Sequence, residues 1–149
     1  SGTVSAATEG TILGVPAIAV SIITFRDPDF GPAARFARLL ARQVKEHGLP
    51  PHTSLNVNVP AISESKIRGV RVTRQGVTRF MEKFDRRIDP RENVYYWQCG
   101  STPPLEEDGD TDASALAKDC ISITPIQHDL TNYDFLESLR SWSFPRIAD

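Results

Sequence analysis

The sequence of 149 residues lacks the features that define several protein classes. Its only cysteines, Cys99 and Cys120, are too few for a disulfide framework and do not form a C-x-x-C pair. We expect both thiols to be reduced, as in cytoplasmic proteins. No apolar run reaches the length of a membrane-spanning helix, and no charged-then-apolar leader is present. These absences predict a soluble cytoplasmic protein.

An excess of charge of one sign is also missing, because 17 basic and 19 acidic residues leave a formal net charge of −2. A chain this close to neutral has no general attraction to nucleic acids or anionic membranes, so we expect neither as a partner. Apolar residues make up 40% of the chain and charged residues 24%, which is typical of a globular domain with a buried core.

The first part of the chain alternates helix-like and strand-like segments. Residues 1–13 and 31–47 show helical patterns, whereas the short apolar runs at 17–23 and 55–60 indicate strands. This alternation predicts an α/β fold with a three-layer, doubly wound, Rossmann-like sheet, entered after its first strands. We therefore interpret residues 1–149 as the C-terminal portion of a single α/β domain.

The second part of the chain predicts a projecting β-hairpin arm at about residues 66–99. Arginines and aromatic residues are interleaved there, which fits stacking against nucleic-acid bases or contact between subunits. We favour the subunit interface because the total charge is close to neutral. After the arm, the pattern predicts a short helix at 112–118, a strand at 120–126, and a C-terminal helix and tail at 131–149.

The first candidate site is the helix start at Ser1, Gly2 and Thr3. The first N–H groups of a helix lack internal partners and carry partial positive charge, so they can bind a phosphate group. Gly2 would allow a close approach, and the two hydroxyls would add donors. From the local sequence alone an ordinary N-cap is the commoner explanation.

An acidic loop is the second candidate. Asp108, Asp110, Asp112 and Asp119 have the 1, 3, 5 and 12 spacing of an EF-hand loop. Ala113 occupies the sixth position, where that motif requires glycine, and the twelfth residue is Asp rather than Glu. We favour a solvated loop that caps a helix.

Histidines are the third candidate. His47, His52 and His128 are not spaced as metal ligands. His128 follows a predicted strand, where the rim of an active site could lie, but we favour a structural role for it.

The helix start and several later segments resemble the SurE family, the stationary-phase survival 5′(3′)-nucleotidases. The resemblance covers nearly the whole chain in collinear order. Its motifs are Ser1-Gly2-Thr3-Val4-Ser5-Ala6-Ala7 with Glu9-Gly10, Pro16-Ala17-Ile18-Ala19-Val20-Ser21, Ala33-Ala34-Arg35-Phe36, Leu55-Asn56-Val57-Asn58-Val59-Pro60, Thr73-Arg74-Gln75, Tyr95-Tyr96-Trp97, Thr111-Asp112, Ile121-Ser122-Ile123-Thr124-Pro125-Ile126 and Asp129-Leu130-Thr131.

The resemblance implies a phosphatase that hydrolyses nucleoside monophosphates with Mg²⁺ or Mn²⁺ and assembles as a homodimer or homotetramer. It implies that phosphate binds at Ser1, Gly2 and Thr3. In the family the metal ligands include a consecutive Asp pair near the chain start and an Asn in a glycine-rich loop, all upstream of the SGTV motif. This sequence contains no Asp-Asp pair, so the metal ligands are expected upstream of Ser1. The chain by itself is then expected to be inactive, and the alternative is a non-catalytic oligomerisation module.

Overall fold

The computed structural model describes residues 2–24, 27–77, 81–101 and 109–145. Within them the α-helices are α1 (Gly2–Ile12), α2 (Gly31–His47), α3 (Asp112–Ala117) and α4 (Tyr133–Arg140), and Glu64–Lys66 forms a 3₁₀ turn. The strands are β1 (Ile18–Ile23), β2 (Thr53–Pro60), β3 (Gly69–Val72), β4 (Met81–Ile88), β5 (Val94–Ser101) and β6 (Cys120–Gln127). Among these residues no helix is both long enough and apolar enough to cross a membrane.

Four strands form the central sheet in the order β1-β2-β6-β3. β1 runs parallel to β2, as the buried apolar run at 17–23 predicts. β6 runs antiparallel to β2 and parallel to β3. Helices α1, α2 and α3 all contact this sheet, which confirms the predicted α/β fold. The sheet is mixed in direction, which the alternation of helices and strands did not predict.

The core lies between one face of the sheet and α2. Val57 and Val59 of β2 are fully buried there, together with Ile121 of β6 and Ala33 of α2. Phe36 and Leu40 of α2 pack against this cluster. Successive strand residues point to opposite faces, so the alternation of Val with Asn in β2 places only the valines on this side.

Small polar residues of β2 and β6 alternate with the core residues. Ser54, Ser122 and Thr124 are all buried. Asn58 donates to Ser122 across the strand pair at 3.4 Å, and Thr124 shares a 2.7 Å hydrogen bond with Thr73. Within the described residues, no buried side-chain nitrogen or oxygen lacks a partner, so this polar layer is satisfied internally.

The structure corrects the predicted limits of the arm at residues 66–99. β3, which we assigned to the arm, pairs with β6 and belongs to the central sheet. Its alternating Val and Arg residues fit an edge strand of the sheet as well as a strand of the arm, so the pattern alone could not decide between these two positions. The hairpin itself consists of β4 and β5, paired antiparallel from Met81↔Ser101 to Ile88↔Val94. Phe80, one of the predicted apolar residues of the arm, lies outside the described residues.

Side chains cap the first turn of each of the two shorter helices. The Thr111 hydroxyl accepts a hydrogen bond from Ser114 N at 3.2 Å and caps α3. Asn132 accepts from Phe135 N at 3.0 Å and caps α4. Each side chain satisfies one of the first backbone N–H groups, which have no partner within the helix.

Candidate functional site

The first turn of α1 lies at the edge of the sheet where β1 and β2 end. Residues 13–17 reverse the chain between α1 and β1, and Val15 N donates to Gly10 O at 2.9 Å in this reversal. A short reversal makes α1 antiparallel to β1, so Gly2 and Thr3 lie at the same edge as the carboxyl end of β1. In open α/β sheets, ligands bind in the crevice at this edge.

The start of α1 is suited to an anion. Helix α1 has no acidic residue in its first turn, so the partial positive charge of its N–H groups is not neutralised by its own side chains. A Cβ atom added at Gly2 would meet nothing within 4 Å, so the space beside this backbone is open. Thr3 is exposed and its hydroxyl can donate to a ligand. Ser1, the third predicted phosphate-binding residue, lies outside the described residues.

A cavity of about 240 Å³ lies at the same edge, just beyond the ends of β1 and β2. One wall follows β1 and contains Asp27, Pro28 and Asp29, and the other follows β2 and contains Ala61, Ile62 and Ser63; Ile22 and Thr24 complete the lining. We did not predict this cavity from the sequence, although an Asp-Pro-Asp turn directly after a buried strand is a signal that could have indicated it.

An exposed ion pair joins α2, which follows the first wall, to Glu64, which follows the second wall. Arg35, in the second turn of α2, donates from Nε to Glu64 Oε1 at 3.2 Å, and its Nη2 donates to the other carboxylate oxygen. This two-point contact joins the segment after β1 to the segment after β2. The hydrogen bond from Arg35 to the Glu64 carboxylate raises the pKa of Arg35 above its usual value. A bidentate pair of this kind fixes orientation better than a single contact does.

The histidines lie at the opposite edge of the sheet. His52 precedes β2 and His128 follows β6, which is antiparallel to β2, so their rings meet with centroids 4.8 Å apart. His47 ends α2, which runs back from the carboxyl edge. The possibility that His128 lies at an active-site rim assumed that β6 runs parallel to β2. The observed direction places His128 away from the start of α1, in agreement with the structural role that we favoured.

The acidic loop makes contacts of a structural kind. Asp110 pairs with Arg74, and Asp112 accepts hydrogen bonds from Gly76 N and Ala113 N. Asp119 lies 3.9 Å from the Arg68 guanidinium. Asp108 is outside the described residues. These contacts agree with a loop that joins β3 to α3.

The metal implied by the resemblance can be tested against the side chains that are present. Across residues 2–24, 27–77, 81–101 and 109–145, no group of three or more His, Cys, Asp or Glu side chains is arranged to hold a metal ion. Asp27 and Asp29 are the two carboxylates that line the cavity, and they are too few for a protein-built divalent site. The described residues therefore do not fit the metal by themselves.

Comparisons with known proteins show which family this chain belongs to. The family model described as "Survival protein SurE" matches residues 1–82. A protein of Syntrophobacter fumaroxidans named "5'-nucleotidase SurE" is 51% identical over 143 residues, which are 96% of this chain and 57% of that protein. A protein of the same name from Syntrophus aciditrophicus is 53% identical over 142 residues, which are 95% of this chain and 53% of that protein's length.

A solved structure is similar over the same range. The crystal structure of the SurE protein from Aquifex aeolicus superposes with a TM-score of 0.79 and 36% identity, covering 94% of this chain and 56% of that chain. The chain thus spans a little over half the length of the relatives that it matches. The family model and the superposition together show that this chain belongs to the SurE family.

Proposed function

We propose that the protein containing this chain is a phosphomonoesterase that hydrolyses nucleoside monophosphates to nucleoside and phosphate. The observation that carries the proposal is the uncovered first turn of α1 at the carboxyl edge of β1 and β2, with open space beside Gly2. Relatives of about 50% identity that are named 5′-nucleotidase support the assignment of the substrate class.

In this proposal the chain supplies the phosphate-binding part of the site. The N–H groups of the first turn, with the hydroxyls of Ser1 and Thr3, hold the phosphoryl oxygens. The backbone N–H groups of a helix turn are fixed before the substrate arrives, so they stabilise negative charge that develops on those oxygens without reorganisation. Gly2 has no side chain and lets the phosphate approach the backbone.

The described residues do not form a metal site, so the metal enters only as part of this proposal. We propose that Mg²⁺ or Mn²⁺ binds carboxylates outside this chain, as the family resemblance implies. When bound, such an ion supplies charge neutralisation and an activated water. We expect the chain by itself to hydrolyse no nucleotide.

The test joins this chain to the part of the Syntrophobacter fumaroxidans relative that it does not span. The chimaera should release phosphate from nucleoside monophosphates in the presence of Mg²⁺ or Mn²⁺, and the 149-residue chain should not. A preparation purified in the same way from cells without the chimaera serves as the control for contaminating phosphatases. Hydrolysis by the chain alone at the rate of the chimaera would contradict the division of roles, and a folded but inactive chimaera would contradict the proposed function.

A second proposal, that the chain is an assembly module forming a homodimer or homotetramer, rests on the hairpin. Its pairing register places Phe84, Ile88, Val94 and Tyr96 on one face, and their exposed fractions are 55%, 60%, 46% and 65%. The same face also carries the polar side chains of Glu82, Arg86 and Gln98. On the other face Arg87 stacks over Trp97 at 5.1 Å. Strands β4 and β5 make their contacts chiefly with each other. A second copy across a two-fold axis would remove these exposed apolar side chains from water.

The two faces of the hairpin provide a matched test of assembly. The double variant Phe84→Asp/Tyr96→Asp should shift the mass measured by light scattering towards the monomer. Trp97→Asp changes the opposite face and should leave the mass unchanged. A monomeric native chain at micromolar concentration, or a double variant that keeps the native mass, would show that this face is not the contact.

A further inference from the structure

The cavity between the ends of β1 and β2 combines carboxylates with apolar side chains. Asp27 and Asp29 supply the negative charge, and Ile22, Pro28 and Ile62 supply apolar surface. Thr24 and Ser63 add hydroxyl groups to this lining. Polar groups beside apolar surface in one cavity can orient a small organic ligand. The volume of about 240 Å³ suits a portion of a ligand rather than a whole drug-sized molecule.

The charge of the lining decides which portion of a substrate can enter. Among the described residues that line the cavity, two are aspartates and none is a lysine or arginine, so these side chains would repel a phosphate group placed there. Hydroxyl groups are favoured instead, because an ionised carboxylate only accepts hydrogen bonds. Asp29 Oδ1 accepts one from Gly31 N at 2.9 Å, which leaves most of the acceptor capacity of this carboxylate for a ligand.

The walls of the cavity are held in place before a ligand arrives. The Arg35–Glu64 pair joins the two segments that form them. The Gly31 contact also fixes the Asp29 side chain against the start of α2. A pocket with fixed walls loses less conformational entropy when it binds than a mobile one does.

We propose that this cavity binds the ribose of the substrate, with Asp27 and Asp29 accepting hydrogen bonds from its vicinal hydroxyls. Carboxylates near the ends of parallel strands hold ribose hydroxyls in other doubly wound folds. The proposal deepens the proposed function and rests on it, because the ribose is assigned to the nucleotide whose phosphate binds at α1.

The test is an NMR titration of the isotope-labelled chain with adenosine, which has the vicinal hydroxyls but no phosphate. Amide signals of residues 27–29 and 61–63 should shift. 2′,3′-Dideoxyadenosine lacks both hydroxyls and should bind roughly tenfold more weakly or worse, because hydrogen bonds to a charged group are lost. Inorganic phosphate, titrated separately, reports on Gly2 and Thr3 and so tests the proposed function independently.

Three variants complete the experiment. Asp27→Asn/Asp29→Asn removes the charge without changing size and should weaken adenosine binding, and Ala61→Leu should fill the cavity and abolish it. Glu46→Gln removes an exposed carboxylate at the far end of α2 and should change nothing. Equal affinity for adenosine and its dideoxy analogue, or shifts confined to other residues, would overturn the ribose assignment even if phosphate binds at α1. Loss of phosphate binding with adenosine binding intact would count against the proposed function alone.

Discussion

Substitution of Gly2 separates the stability of α1 from the binding of phosphate, because the two should change in opposite directions. A Cβ atom at this position meets no protein atom within 4 Å, so alanine fits the fold. Replacing a helical glycine by alanine stabilises a helix by up to about 1 kcal/mol. We therefore expect Gly2→Ala to leave the free energy of unfolding unchanged or to raise it.

Phosphate binding should respond in the opposite sense. The open space beside Gly2 is where a phosphate would approach the backbone, and a valine side chain would occupy it. If one backbone donor is lost from the contact, turnover by the chimaera should fall by about 10²–10³. Gly2→Ala, which is smaller, should give an intermediate effect.

Gly10→Ala is the matched control, because it adds the same methyl group to the same helix away from the sheet edge. A Cβ atom there makes an ordinary 3.5 Å contact with Ala17. Thermal unfolding followed by circular dichroism gives the stabilities, and initial rates with a nucleoside monophosphate give the turnover. Unchanged turnover in Gly2→Val, or an equal loss in Gly10→Ala, would refute the assignment of phosphate to this helix start.

Two further predictions concern the core and the end of β6. Val57→Ala should lower the free energy of unfolding by about 2–3 kcal/mol in a denaturant titration. Val72 lies on the other side of Ile123 and is 78% exposed, so Val72→Ala should change the free energy of unfolding by no more than about 0.5 kcal/mol. Equal effects of the two substitutions would contradict the position of the core. Hydrogen bonds from the Tyr133 hydroxyl and, to a smaller extent, from Thr131 lower the pKa of Asp129 from 3.8 to about 2, so these contacts favour the ionised carboxylate. The stability that the ionised Asp129 carboxylate contributes is therefore complete above pH 4 and is lost as the pH falls towards 2. An NMR titration of the Thr131 amide with a midpoint near 4 would contradict this lowered pKa.

Local patterns were sufficient to predict most of the elements. The alternation of Val with Asn in β2, the glycine that ends α2 and the caps of α3 and α4 each depend on residues close in sequence, so they can be read without the fold. The direction of β6 depends on its pairing with β2, which is more than 60 positions away, as the contact between Asn58 and Ser122 shows. No local signal records that direction, so the sequence alone could not decide at which edge of the sheet His128 lies.

The site was predictable only in part for the same reason. Gly2 and Thr3 are recognisable because a helix start is a local feature. Asp29 and Ser63 are 34 positions apart and line one cavity only because β1 and β2 are neighbours in the sheet. The Arg35–Glu64 contact depends on the same neighbourhood. Pairing of strands, rather than any motif, brings these residues together.

The two proposed subsites differ in charge, as the phosphate and the ribose of one nucleotide do. The start of α1 favours an anion, whereas Asp27 and Asp29 favour neutral hydroxyls, and both lie at the carboxyl edge of the same two strands. Adenosine 5′-monophosphate should therefore shift the amide signals of Gly2 and of the cavity with a single dissociation constant, lower than that of adenosine or phosphate alone. Gly2→Val should reduce its affinity to about that of adenosine, because only the ribose contacts would remain. Two independent dissociation constants for the two groups of signals would show that the subsites do not hold one molecule.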